Sequence, residues 1–465
     1  MDDSWATFGI DLHLELRGPR RRRALEEALR RAVADGRLAA GTRLPSSRSL
    51  AADLGLARNT VVDAYAQLVA EGWLAARHGS GTTVAARPPV PDQAETQAPD
   101  GPRPWRYDLR PGRPDLSSFP RSAWLAAARR TWSYAPDADF GYGDPRGTRQ
   151  LREALAGYLG RARGVRSAPS RIVICSGFTQ AFGLLGQVLR KREASTVAVE
   201  PYGLPELGRI AAVAGLGIAP MPLDKEGADV ASVEGAGAAL VTPAHQFPLG
   251  TVLSPGRRHA ALAWAHRQSA VIVEDDYDGE FRYDREPLGA LQGLDPERVV
   301  YVGTASKTLA PALRLAWMAL PADLVEPVSE AKLLADHHTP TLDQLTLAEF
   351  IRSGAYDRHV RARRLAYRRR RDRLVEALPA GRVSGISAGL HALVHLPAPM
   401  TEAEAVSAAA AGGLALEGLD SYRTGPDIHH PPAIVVGYAT PPEHAYRAAL
   451  TRLGDVLAAR APSSA

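Results

Sequence analysis

Apolar residues in the first part of the chain recur at helical spacing. Leu25, Ala28, Leu29, Ala32 and Val33 share one face of the segment 20–34, with arginines on the other, which predicts an amphipathic helix ended by Gly36. Leu44, Pro45 and Ser46 supply a turn whose serine hydroxyl can cap a short helix over 47–54. Gly55 stops that helix by accepting a left-handed conformation that a Cβ would oppose. A third helix over 58–71 turns Val61, Tyr65, Leu68 and Val69 inward. Residues 73–77 and 82–85 then flank His78, Gly79, Ser80 and Gly81, a hairpin signature. Helix, helix-turn-helix and hairpin together predict a winged helix-turn-helix over residues 15–86.

Residues 87–106 are rich in proline and polar side chains with nothing periodic to bury, which reads as an extended linker. From residue 107 the pattern changes. Short apolar runs at 172–175, 196–199, 238–241, 270–273, 299–302 and 315–318 alternate with helical stretches. Runs apolar on both faces suit a mostly parallel sheet covered by helices, so residues 107–465 are expected to form an α/β body. In such a body ligands gather at the carboxyl ends of the strands.

Composition narrows the function classes. A chain of 465 residues at 45% hydrophobic has room for a small head and a large body with a sizeable core. Its net charge of +5 allows an acidic partner. The head, however, carries 12 arginines against 10 acidic residues over residues 1–86, so the case for DNA rests on placement of groups rather than on bulk field. The single cysteine, Cys175, excludes an intrachain disulfide framework, fits a reducing cytoplasm and reads as a small buried apolar residue. The amino terminus lacks a basic flank with an apolar signal core, and no run of about 18 apolar residues occurs, so neither secretion by that route nor a membrane span is expected.

Only four lysines occur, Lys191, Lys225, Lys307 and Lys332, and Lys307 has an electrophile's site around it. It follows the run 299–302, while Asp275 and Tyr277 follow the run 270–273. That pairing points to a pyridoxal phosphate Schiff base, with Lys307 forming the internal aldimine. A carboxylate beside the pyridine nitrogen keeps the ring an electron sink, which Asp275 can do, and Tyr277 can donate to the phenolic oxygen. Ser176, Gly177, Phe178 and Thr179 enter a helix whose backbone N–H groups can cradle the phosphate. Thr304 and Arg314 add a hydroxyl and a cation, and Tyr202 can stack on the ring. In the head, Arg58, Asn59 and Thr60 open the third helix, where side chains and helix N-terminus can meet base edges and phosphates. Arg48 on the second helix and His78, Gly79 and Ser80 at the hairpin tip would flank the same groove; the pattern alone equally fits a small three-helix interaction module with solvated arginines.

Residues 15–86, with Leu44-Pro-Ser-Ser-Arg48, Arg58-Asn-Thr60 and His78-Gly79, resemble the N-terminal domain of GntR-type regulators. That resemblance implies operator contacts by Arg48, Arg58, Asn59, Thr60, His78 and Gly79. The body carries Tyr142-Gly-Asp-Pro-Arg-Gly, Thr242-Pro-Ala-His-Gln-Phe-Pro-Leu-Gly250, Glu274-Asp-Asp-Tyr-Asp-Gly-Glu-Phe-Arg-Tyr283 and Gly303-Thr-Ala-Ser-Lys307, and resembles fold-type-I aminotransferases. With the head attached, the whole chain resembles MocR-type (GabR-like) regulators. The resemblance implies a mostly parallel seven-stranded sheet, a small C-terminal α+β domain, pyridoxal 5'-phosphate as cofactor and Ser306 among its contacts. It also implies a head-to-tail homodimer in which Tyr142 reaches the partner's phosphate. The body would act as a sensor of an amine, an amino acid or the cofactor itself, with little or no turnover; an active aminotransferase bearing a DNA-binding head is the rival.

Two departures qualify the resemblance. Aminotransferases and GabR-like sensors hold a carboxylate with an arginine just before the late strand, where this chain has His429-His-Pro-Pro432; Arg423 is a candidate substitute. The stretch Glu200-Pro-Tyr-Gly203 is one residue short of the family's, which bears on Tyr202. The arginine-rich segment 358–373 reads as a solvated amphipathic helix with Leu365, Leu374 and Leu378 on its apolar side. His391 and His395 fall four apart on a predicted strand, which gives no helical metal face, and no metal is expected.

Overall fold

A computed structural model describes residue 16 and residues 20–77, 81–86, 105–283, 288–425 and 429–458. The chain divides into two units, Met1–Arg103 and Pro104–Ala465.

The head is built from helices α1 (Arg21–Ala34), α2 (Ser47–Leu54) and α3 (Arg58–Ala70), followed by strands β1 (Leu74–Arg77) and β2 (Gly81–Val84). The Ser46 hydroxyl accepts from the Ser49 N–H at 3.1 Å and starts α2, and Gly55 ends it at φ 61°. Leu25, Leu29, Leu50, Val61 and Leu68 are buried together, each stabilising the unit by about 1.5–3 kcal/mol relative to exposure. Val33 and Val69 only border this core. The Tyr65 hydroxyl donates to the Pro45 carbonyl at 3.0 Å, fixing α3 against the turn before α2. The two strands pair antiparallel with Leu74 opposite Val84.

In the body, seven strands form one sheet: β3 (Ile172–Cys175), β4 (Thr196–Val199), β5 (Gly217–Pro220), β6 (Ala238–Val241), β7 (Val271–Asp276), β8 (Val299–Thr304) and β9 (Ala316–Ala319). Their order across the sheet is β3-β9-β8-β7-β6-β4-β5. Neighbours are parallel except β9, which runs antiparallel to both β8 and β3. Six of the strands are the apolar runs read from the sequence. The seventh, β5, is Gly-Ile-Ala-Pro on an edge; glycine and proline there break the apolar signature, and an edge position tolerates both.

Strand alternation sends side chains into two helix layers. Val173, Cys175, Val300 and Met318 pack on one side with helix α4 (Phe178–Lys191) and with Leu324 and Val328. Ile172, Ile174, Tyr301 and Trp317 face the other. The small C-terminal part adds a four-stranded antiparallel sheet that includes Ala392–His395 and Ala433–Val436. Among the described residues no helix is long and apolar enough to cross a membrane.

The arginine-rich helix spans Ala355–Ala377. Leu374 and Leu378 are buried as expected, but Leu365 is 58% exposed. Leu365 lies half a turn out of phase with Leu374, whereas Arg370 shares the inner face with Tyr367 and Leu374. Arg370 is only 2% exposed, and its guanidinium binds Asp115 at 2.8 Å, Glu443 at 3.0 Å and the carbonyls of Ala439 and Pro441. Hydrogen bonding from all three guanidinium nitrogens, two of them to carboxylates, is what permits its burial.

Candidate functional site

Because β3, β4, β6, β7 and β8 are parallel, their carboxyl ends meet along one edge. The reversed β9 brings its beginning to that same edge, which is how Arg314 reaches it. A cavity of about 360 Å³ lies there, within the range of small-molecule sites. It is lined by Lys307, Asp275, Tyr277, Gly177, Phe178, Thr179, Tyr202, Thr304, Ser306 and Arg314, all expected from the sequence, and also by Glu200, Thr242, Arg113 and His391.

Lys307 Nζ donates to the Gly112 carbonyl at 2.6 Å. Burial lowers its pKa, with Arg113 and Arg314 acting in the same direction and Asp275 and Asp278 opposing. Asp275 projects from the end of β7. Removal from water pushes its pKa up to about 8, against the pull of Lys307 and with Asp276, Asp278 and Glu200 adding to the rise. A carboxyl in that condition is short of a cation.

Gly177, at φ 102°, caps α4 with no side chain. A Cβ there would stand 2.5 Å from an Arg314 guanidinium nitrogen, so glycine is what lets that cation close over the helix N-terminus, a natural seat for an anion. The same guanidinium donates to the Ser176 carbonyl. Ser176 itself does not line the cavity, and its N–H is taken by Gln180 Oε1 at 2.7 Å. At the end of β8 the Thr304 hydroxyl accepts from the Ser306 N–H at 3.1 Å and donates to Ser306 Oγ at 3.0 Å, holding the turn that presents Lys307.

Tyr277 Oη donates to the His245 carbonyl at 3.0 Å and lies 3.1 Å from His245 Nδ1, which is 2.9 Å from Asp278 Oδ2. His391 completes a buried group in which one donor atom from each of His245, Asp278 and His391 lies within 4.8 Å of the others. His391 Nε2 has no hydrogen-bond partner among the described residues, and burial drives the imidazole pKa well down. Tyr202 is 4% exposed, set in a cluster with Leu393, Leu419, Tyr422, Ala433 and Val435. Beside it, burial pushes Glu200 up to about 7 although Thr242 Oγ1 donates to it at 2.5 Å and Gln246 Nε2 at 3.1 Å. Sequence reading placed the stretch from Glu200 to Tyr202 at a strand end but gave Glu200 no role, and it gave none to Thr242 or Arg113; only a place after a strand end and one after Gly112 could have marked those two. Tyr142 is outside the cavity and 89% exposed, its ring 5.3 Å from that of His337.

On the head, Arg48, Arg58 and Asn59 are exposed and Thr60 half-buried. Arg58, Asn59 and Thr60 form the first turn of α3, whose N-cap, Ala57, offers no side-chain cap; the Thr60 N–H is taken by the Ala57 carbonyl at 2.9 Å, which leaves the N–H groups of Arg58 and Asn59 for a phosphate. His78, Gly79 and Ser80 lie outside the described residues.

Comparison with known proteins resolves the same two parts. Residues 21–84 match the model for bacterial regulatory proteins of the gntR family. Residues 112–412 match that for class I and II aminotransferases. The chain is 33% identical to the HTH-type pyridoxine biosynthesis transcriptional regulator PdxR of Corynebacterium glutamicum, over 93% of this chain and 95% of the relative. It is 35% identical to the probable rhizopine catabolism regulatory protein MocR of Rhizobium meliloti, over 75% of each. Among solved structures, kynurenine aminotransferase of Pyrococcus horikoshii superposes with a TM-score of 0.67 at 25% identity, covering 75% of this chain and 90% of that one.

Proposed function

The chain belongs to the MocR-type subfamily of GntR-family transcription regulators, and from that premise we propose that it regulates transcription as a ligand sensor built on pyridoxal 5'-phosphate at Lys307. The observation that carries this reading is the convergence, in one cavity, of a lysine with a lowered pKa, a carboxyl short of a cation and an anion seat closed by Arg314. These residues fit the cofactor group by group. Lys307 would hold the aldehyde, Asp275 the protonated ring nitrogen, and Gly177, Phe178, Thr179, Thr304, Ser306 and Arg314 the phosphate. The cofactor, when bound, supplies a reactive carbonyl and an electron-withdrawing ring. The protein's own part is to desolvate Lys307 so that its amine gives up a proton more readily, to set Asp275 where a cation would be paired with it and to screen the site from water.

The head reads operator DNA through Arg48, Arg58, Asn59 and Thr60, with the helix N-terminus on a phosphate. The effector is an amine, an amino acid or the cofactor itself, and its arrival alters the body's closure and thereby the spacing of two heads in a head-to-tail homodimer. Exposed Tyr134, Phe140 and Tyr142, at 85%, 60% and 89%, support such a contact between copies, with Tyr142 reaching the partner's phosphate. We place the protein in the cytoplasm.

The test is reconstitution of the full chain with pyridoxal 5'-phosphate. The expected outcome is a visible absorption band that borohydride converts to a stable adduct on the Lys307 peptide, and that Lys307→Ala lacks entirely. Colourless protein with no trapped adduct overturns the reading.

A further inference from the structure

Three cations face the cavity: Lys307, Arg314 and Arg113. The first donates to the Gly112 carbonyl and the second to that of Ser176. Arg113 is different. Its one ion pair among the described residues is with Asp108 at 3.8 Å, and 56% of its side chain is exposed. Asp108 is already committed, because Arg110 donates to both its oxygens at 3.0 and 2.8 Å. Arg113 is nonetheless close enough to lower the pKa of Lys307. It is a cation at the mouth of a binding cavity, next in sequence to the carbonyl that holds the reactive lysine, without a full partner.

The segment that carries Arg113 is fastened to the small C-terminal part. Leu109 is buried in its core with Leu390, Val394, Ile434 and Val436. Leu109 N–H donates to the Ala415 carbonyl at 3.0 Å and Gly437 N–H to the Leu109 carbonyl at 2.7 Å. Thr440 Oγ1 donates to the carbonyls of Arg110 and Arg113 at 2.7 and 3.2 Å. Lys307 and Asp275, by contrast, stand on the large sheet. A molecule reaching from Lys307 to Arg113 would therefore span the two lobes. The late-strand position, His429-His-Pro-Pro432, offers no arginine for that task.

Resting on the proposed sensor reading, we propose that Arg113 binds the carboxylate of an effector whose amine enters the Lys307 end of the cavity, so that the effector is an amino carboxylate held between the lobes. Guanidinium recognition of a carboxylate supplies both charge and two-pronged geometry.

The experiment uses full-length protein loaded with pyridoxal 5'-phosphate and titrates it with linear ω-amino carboxylates of increasing length and with alkylamines of the same lengths. Binding is read by calorimetry and by the change in the visible band. The expected result is that at least one amino carboxylate binds about tenfold or more tightly than its matched alkylamine. Arg113→Gln erases that margin without weakening the alkylamine, Arg113→Lys restores part of it, and Arg423→Gln leaves it unchanged. The proposal is overturned if no amino carboxylate outbinds its alkylamine, if Arg113→Gln weakens both alike or neither, or if Arg423→Gln removes the margin. Absence of the band before any titrant is added reports failure of the Lys307 reading instead.

Discussion

Arg58 on the head and Arg314 in the body both stand at the start of a helix where an anion is expected, and they are held in opposite ways. Arg58 is exposed and makes no hydrogen bond or ion pair among the described residues. Arg314 is bonded to the Ser176 carbonyl and lies where only glycine fits beneath it. An arginine that is free until it meets its ligand loses rotamer entropy on binding and acts through water and salt, so its contribution is modest, additive and screened. One fixed beforehand, inside a network, binds without that loss, and disturbing the network disturbs the fold. The head's contacts should therefore be separable one by one, whereas the body's charged groups should not.

The contrast is sharpest at Arg370. Replacing it with methionine leaves Asp115 buried without its partner, and urea unfolding of the body should show a loss of about 3–5 kcal/mol. A loss as small as that of a surface arginine breaks the contrast.

Asp275 tests it through pH. Its folded pKa, about 8, lies above the usual 3.8, so the folded body keeps a proton that the unfolded chain releases. The stability this group contributes is complete below about pH 4 and disappears as pH rises through about 8. In cofactor-free protein, Asp275→Asn should flatten the decline of stability across that window by up to about 1.4 kcal/mol per pH unit. An unaltered slope means that the carboxyl is not held as described.

On the head, Arg58→Ala should weaken operator binding by about 1–3 kcal/mol and lower its salt dependence by about one ion, with the body's cofactor absorption intact. Band-shift titration at two salt concentrations reads both. Changed absorption would mean that the two surfaces are not separable. The smallest effect is expected at Leu365→Ala, within about 0.5 kcal/mol in a melt, because that side chain is 58% exposed.

Leu365 and Arg370 also mark where sequence reasoning stops. Helical periodicity located the helix they share, but the choice of which side chains go inside depended on Asp115 and Glu443 waiting across the interface. Helical spacing puts Arg370 on the inner face, three after Tyr367 and four before Leu374, but nothing local makes an arginine acceptable there. The head was legible almost to the residue, because its caps, glycine stops and hairpin are local signals. The sheet was legible where strands are buried on both faces and lost at β5, where they are not. Lys307, Asp275 and the Gly177 turn could be read from their positions after strands. Their setting could not: the Gly112 carbonyl that holds Lys307 is 195 residues away in sequence, and the Asp278–His245–Tyr277 chain joins segments more than 30 residues apart.

Residues 105–112 form the first described stretch of polypeptide after the head's unit, and they lead without interruption to the carbonyl that grips Lys307. That carbonyl is one tie among several, since Leu109 is sunk in the small lobe's core and bonded to Ala415 and Gly437, so the stretch stays seated whichever partner Lys307 takes. The lysine proposed to meet the ligand is thus tied directly to the stretch by which the body's described chain begins.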